Sequence, residues 1–186
     1  MTAVYPTHNS RAISISSTTS SLRMGQVAFE FELGDNEEAV IRTKCQICYT
    51  MILKKCLFGS KVRVFDSIAG EELFIAKSRS LLGYIKIYSP CFSTRIKFSR
   101  PASKGGVYGL EVLGVKYFWD YEHDCYLRCF TATEKALVAQ FKYDAGEDCR
   151  KIGRLVLTRQ VTHPHIQPLL ILTALLFLKQ KIWGSA

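Results

Sequence analysis

The chain has 186 residues, 48% of them hydrophobic and 22% charged, with a formal net charge of +9. That length bounds it to one domain, or one domain with a tail, and it is long enough for a sizeable core. The composition excludes a chain disordered throughout, and the charge directs attention to acidic partners, anionic lipid or nucleic acid.

Residues 1–24 are rich in Ser and Thr and carry no acid, so they read as a disordered tail ahead of a domain over 25–186. Arg11 and Arg23 lend a faint likeness to a mitochondrial presequence, but two arginines make little amphipathic charge, and no apolar secretory stretch occurs there. There are seven cysteines, an odd number, several within strand-like runs where a free thiol acts as a small hydrophobe. A reducing cytoplasmic or nuclear setting fits them best, with peripheral attachment at a membrane as the refinement the charge allows.

From residue 26 the pattern is one of strands. Residues 26–33 alternate, with Val27, Phe29, Phe31 and Leu33 on one face. Residues 34–38 read as a turn, and strands resume near Arg42. Residues 48–53 are rich in β-formers. Residues 61–65 alternate strictly, a turn follows at 66–70, and 72–77 returns as the second arm of a hairpin. Further strands are predicted at 84–88, 94–98, 107–113, 115–121, 126–131, 137–143 and 151–158, with polar or Gly-bearing breaks between them. Short strands at this spacing, uninterrupted by an amphipathic helix, define a sandwich or a barrel.

The chain then changes character. In 168–178 only Thr173 is polar. Pro168 suits a first helical turn, Lys179 and Lys181 favour a helix C-terminus, and Gly184 can end it. A helix apolar on every side must be buried in a core or a membrane. Residues 169–178 span about 15 Å, half of a bilayer core. The length favours a core helix; a tail anchor with snorkelling lysines is the alternative. A barrel closed around the helix would surround it with inward-facing side chains and remove exposed sheet edges.

These features, together with the aromatic strand at 116–121, give a chain that resembles the tubby C-terminal-domain-like superfamily, which includes tubby, the phospholipid scramblases and the LURP-one-related proteins. Within it the chain looks most like single-domain fungal members, and the likeness covers roughly 42–183. The resemblance implies a mainly β fold: an antiparallel twelve-stranded barrel enclosing the hydrophobic C-terminal α-helix. It also implies a basic surface of the kind by which tubby binds phosphoinositide headgroups. No catalytic residue is carried over.

The remaining motifs weigh against chemistry. Cys45 and Cys48 with Cys125 and Cys129 have spacings a zinc site allows, but they sit in strand-like runs without a Gly-rich knuckle, so packing is the better reading. His163 and His165 read as the polar approach to the helix. Asp120, Glu122 and Asp124 start like a calcium loop, but Cys125 and Thr131 occupy the positions that need Gly and Glu. There is no Gly-x-Ser-x-Gly elbow, no His-Glu-x-x-His, and no phosphate loop around Ser103. No catalytic residue, metal or cofactor is expected.

The charge is the informative signal. Residues 44–104 hold twelve Lys and Arg against three acids, which is the whole of the net +9. Alternation puts Lys61 and Arg63 on one strand face, Arg95 and Lys97 on another, and Lys86 between Tyr84 and Tyr88. Charged outward residues on any barrel serve solubility, and that is the bland account. The functional account makes Lys61, Arg63, Lys86, Arg95 and Lys97 a surface for anionic, phosphoinositide-type lipid headgroups. The alternative is a protein-interaction or scaffold domain without lipid binding, and a scramblase-like or other enzymatic activity is a third class. Interleaved aromatics would permit single-stranded nucleic acid, but no RNA-recognition signature accompanies them.

Overall fold

Among the described residues the chain forms twelve strands and one helix. In order these are β1 (Val27–Leu33), β2 (Glu38–Thr43), β3 (Gln46–Cys56), β4 (Gly59–Asp66), β5 (Glu72–Arg79) and β6 (Tyr84–Tyr88). They continue with β7 (Ile96–Ser99), β8 (Tyr108–Val112), β9 (Val115–His123), β10 (Tyr126–Thr131), β11 (Leu137–Tyr143), β12 (Lys151–Leu157) and α1 (Ile166–Trp183). The structure, a computed structural model, describes residues 26–183 apart from 36, 45, 58, 80–82, 100–106, 124–125, 145–149, 159–160 and 162. The expected tail at 1–24 lies outside the described residues, as do Cys45, Ser103, Asp124, Cys125 and Gly184.

Each strand pairs antiparallel with its neighbour in sequence, and β1 closes on β12, so the sheet is a closed barrel. Alternation sends one face of every strand inward. Met51, Leu53, Val62, Val64, Phe74, Ala76, Ile87, Ile96 and Phe98 are all buried. Strand β2 is the element that 34–38 read as a turn conceals. Its inward residues are Ala39 and Ile41, and alanine is too small to announce an apolar face.

Helix α1 fills the barrel. Leu169, Leu170, Ile171 and Leu172 are each 0% exposed, and four consecutive residues at 100° steps cover every side of a helix. The helix has 18 residues, the apolar run with Ile166 and Gln167 ahead of Pro168 and residues 179–183 behind it. Among the described residues no helix is long and apolar enough to cross a membrane. Aromatic residues close both mouths. Phe177 meets Tyr108 and Tyr121 edge-on at 5.0 and 4.7 Å at one end, and Phe92 meets Phe74, His163 and His165 at the other.

Among the described residues, the buried polar contact between wall and helix is fully satisfied. Trp119, among the largest of the buried side chains, donates its indole N–H to Thr173 Oγ1 at 2.9 Å. The hydroxyl in turn donates to the Leu169 carbonyl at 3.0 Å, one turn back along the helix. Thr173→Val keeps the shape and removes the acceptor, leaving a buried N–H unpaired at a cost of about 1–3 kcal/mol. Thr173→Ser keeps the acceptor and loses only a methyl group, worth about 1 kcal/mol. Urea denaturation of the two variants is expected to rank them in that order; equal losses would show that the hydrogen bond contributes nothing.

Candidate anion-binding surface

The strand register assembles what single strands cannot show. Lys54 of β3 pairs with Lys61 of β4, Lys61 with Lys77 of β5, Lys77 with Lys86 of β6, and Lys86 with Lys97 of β7. Directly opposed residues in a sheet point to the same side. The neighbouring register row, Leu53–Val62–Ala76–Ile87–Ile96, is buried, so the lysine row faces out. Five ammonium groups therefore stand in one file across five strands. At about 4.8 Å per strand the file is roughly 19 Å long at the backbone.

Of the residues the sequence singles out, Lys61, Lys86 and Lys97 lie in this file. Arg63 and Arg95 lie two residues along their chains from Lys61 and Lys97. The Arg63 guanidinium is ion-paired with Glu72 and lies 4.8 Å from the Phe65 ring centroid, so its charge is already partnered. Arg95 lies 5.5 Å from the Tyr88 ring centroid. Lys54 and Lys77 belong to the file and escape sequence reasoning, because nothing in one strand says which residue of the next stands opposite. A β-bulge at Val64 and Phe65 shifts the β4–β5 register, so counting from the hairpin turn would miss Lys77 by a residue.

Two tyrosines order the cations. Tyr84 has Lys97 at 4.5 Å and Lys86 at 5.8 Å from its ring centroid, and Tyr88 has Lys77 at 5.3 Å besides Arg95. These contacts hold ammonium groups near the ring faces without neutralising them.

The electrostatics of the file differ from those of the remaining wall. Elsewhere most charged pairs combine opposite signs: Arg154 and Arg42 flank Glu30, Asp120 opposes Arg128, and Glu111 opposes Lys116, with Lys142 opposite Arg154 as a like-charged exception. Among the described residues the ion pairs are Arg42–Glu32, Lys55–Glu37, Arg63–Glu72 and Lys116–Glu111, and none includes a lysine of the file. Like charges directly opposite on a sheet are destabilising, and contacts of this kind are worth about 0.2–1 kcal/mol each. The row carries four such contacts in succession.

Of the four motif cysteines, Cys48 and Cys129 are described, and both are wall residues. Cys129 faces the core from β10, 0% exposed, and burial pushes its thiol well above the usual range. Cys48 lies in β3, with its sulfur 3.0 Å from Thr43 Oγ1. The two strands are five places apart around the barrel, from β10 through β11, β12, β1 and β2 to β3, with the helix between them. His163 and His165 pack against Phe92. Among the described residues no group of three or more His, Cys, Asp or Glu could hold a metal ion.

What fold and surface define is a helix-filled, closed twelve-stranded antiparallel barrel with one unbroken cationic file on its wall. No family model, curated protein or solved structure matches the chain.

Proposed function

We propose that the protein is a tubby-like barrel domain without catalytic activity that binds phosphate-bearing lipid headgroups, of the phosphoinositide type, through Lys54, Lys61, Lys77, Lys86 and Lys97, with Arg95 beside them. The twelve-stranded barrel around an apolar C-terminal helix is the arrangement the family resemblance implies, and it supports the first half of this reading. The second half is carried by one observation: five lysines stand directly opposite one another with no acid in the file, whereas elsewhere among the described strand pairs like charges meet only as the single pair Lys142–Arg154. Solubility alone is served equally well, and more stably, by mixed charge. A multivalent anion converts the mutual repulsion into attraction.

The expected strength follows from the count. Each lysine near an anionic leaflet contributes roughly 1 kcal/mol, so five give about 5 kcal/mol, an affinity of about 0.2 mM before any specific phosphate contact. Lys77→Glu combined with Lys86→Glu leaves three attractions against two repulsions, a loss of about 4 kcal/mol or roughly a thousandfold. The experiment is co-sedimentation with phosphatidylcholine vesicles containing or lacking phosphatidylinositol bisphosphate, at low and high salt, beside titration with soluble inositol trisphosphate. The wild type is expected to sediment only with the anionic vesicles, to be released by salt, and to melt at a higher temperature with inositol trisphosphate. The double variant is expected to stay in solution while melting no lower than the wild type. Binding of single-stranded nucleic acid in preference to these ligands, or equal sedimentation of both proteins, would overturn the assignment. Absence of any anion binding by the wild type would favour a protein-interaction scaffold.

A further inference from the structure

The β3–β4 hairpin ends in an apolar tip beside the lysine file. Cys56 pairs with Gly59, and Leu57 follows Cys56 at the turn. Leu57 projects from this tip 97% exposed, more than any other large hydrophobic residue described.

Two other described turns also show an apolar residue, and the comparison is instructive. Ile68 is 69% exposed and Leu113 is 60% exposed. Ile68 lies between Asp66, whose carboxylate accepts the Ile68 N–H at 2.8 Å, and the acids Glu71 and Glu72. Leu113 lies between Glu111 and Lys116, which pair with one another. Of the three, only Leu57 has two cations within the three residues before it, Lys54 and Lys55. Lys54 and Lys61, the first rung of the lysine file, stand at the base of its hairpin, with Lys55 beside them. Strand order puts Ile68 and Leu113 at the opposite end of the barrel from Leu57.

From these positions we infer that the β3–β4 tip is a membrane wedge: Leu57 enters the headgroup–acyl boundary of an anionic bilayer while the Lys54–Lys61 rung stays among the phosphates. This rests on the lipid-binding reading above and adds a second anchor to it. The distances agree. Three residues of strand separate the rung from the tip, about 10 Å. Apolar groups of interfacial proteins enter roughly 5–10 Å into that boundary, and lysine stems reach back to the phosphates.

The test separates this inference from its parent. Leu57→Asp changes a residue with almost no burial to lose, so it folds as the wild type does. It is expected to bind inositol trisphosphate with wild-type affinity, and to bind vesicles of phosphatidylcholine with phosphatidylinositol bisphosphate about tenfold or more weakly. Leu57→Trp, read as its difference from the wild type, is expected to shift its emission to the blue on the same vesicles and to be quenched by brominated acyl chains. Leu57→Asp binding those vesicles as tightly as the wild type, or a Leu57→Trp signal unchanged by vesicles that do bind, overturns the wedge and leaves headgroup binding standing. A wild type that binds neither inositol trisphosphate nor vesicles overturns both.

Discussion

Removal of residues 166–186 is expected to leave a chain that does not fold. Helix α1 is the centre of the core, and the wall has no alternative partner for its inner face. Leu169, Leu170, Ile171, Leu172 and Ala174 are each 0% exposed. Truncating one buried leucine costs about 2–5 kcal/mol, whereas a whole domain is typically stable by about 5–15 kcal/mol. Losing three or four exceeds that margin. Leu172→Lys makes the same point with one residue, since an ammonium there would be buried among apolar side chains with no counter-charge. Far-UV circular dichroism, gel filtration and thermal melting decide the matter. A truncated chain that stays monomeric and melts cooperatively would show that the barrel stands without its helix.

Gly153→Ala is the second large effect, and it acts through the wall. Gly153 sits in β12 at φ +152°, opposite Phe31 of β1, where the register slips by a residue. A Cβ there would lie 2.2 Å from the Lys142 carbonyl oxygen and 2.8 Å from the Phe141 ring. The glycine thus lets Phe31 and Phe141, on strands either side of it, meet edge-on at 5.2 Å. Alanine would carry the strain of an unfavourable φ and would also push a backbone oxygen and a core ring apart. Together these cost about 3–5 kcal/mol. Gly83→Ala is the control, for a Cβ there meets nothing within 4 Å, and its expected effect is within about 0.5 kcal/mol. Denaturant midpoints that fall together for the two variants would contradict this account.

Much of the fold is legible in the sequence because alternation is a local property. Strands β6, β10 and β11 have the bounds that their period and flanking turn residues predict. The helix announces itself by an apolar run that a surface helix could not carry. Strand β2 is hidden because Ala39 contributes so little to the pattern. The surface is legible only by halves. Alternation says that Lys61, Lys86 and Lys97 face outward, but their alignment in one file is a matter of register, set by hairpins and a bulge that no single strand encodes. The same holds for Trp119 and Thr173, which are 54 residues apart and become partners only when the barrel closes.

Closure also sets a timetable. Strand β1 needs β12 on its free side, and the core needs a helix that follows every strand in the chain. A ribosome adding about 5–20 residues per second takes roughly 6–25 s to pass from the end of β1 to the end of β12. Throughout that interval the nascent sheet has an open edge and an uncovered apolar face. The domain therefore cannot be completed piece by piece during synthesis; its wall closes and its core fills only after β12 and α1 have both been made.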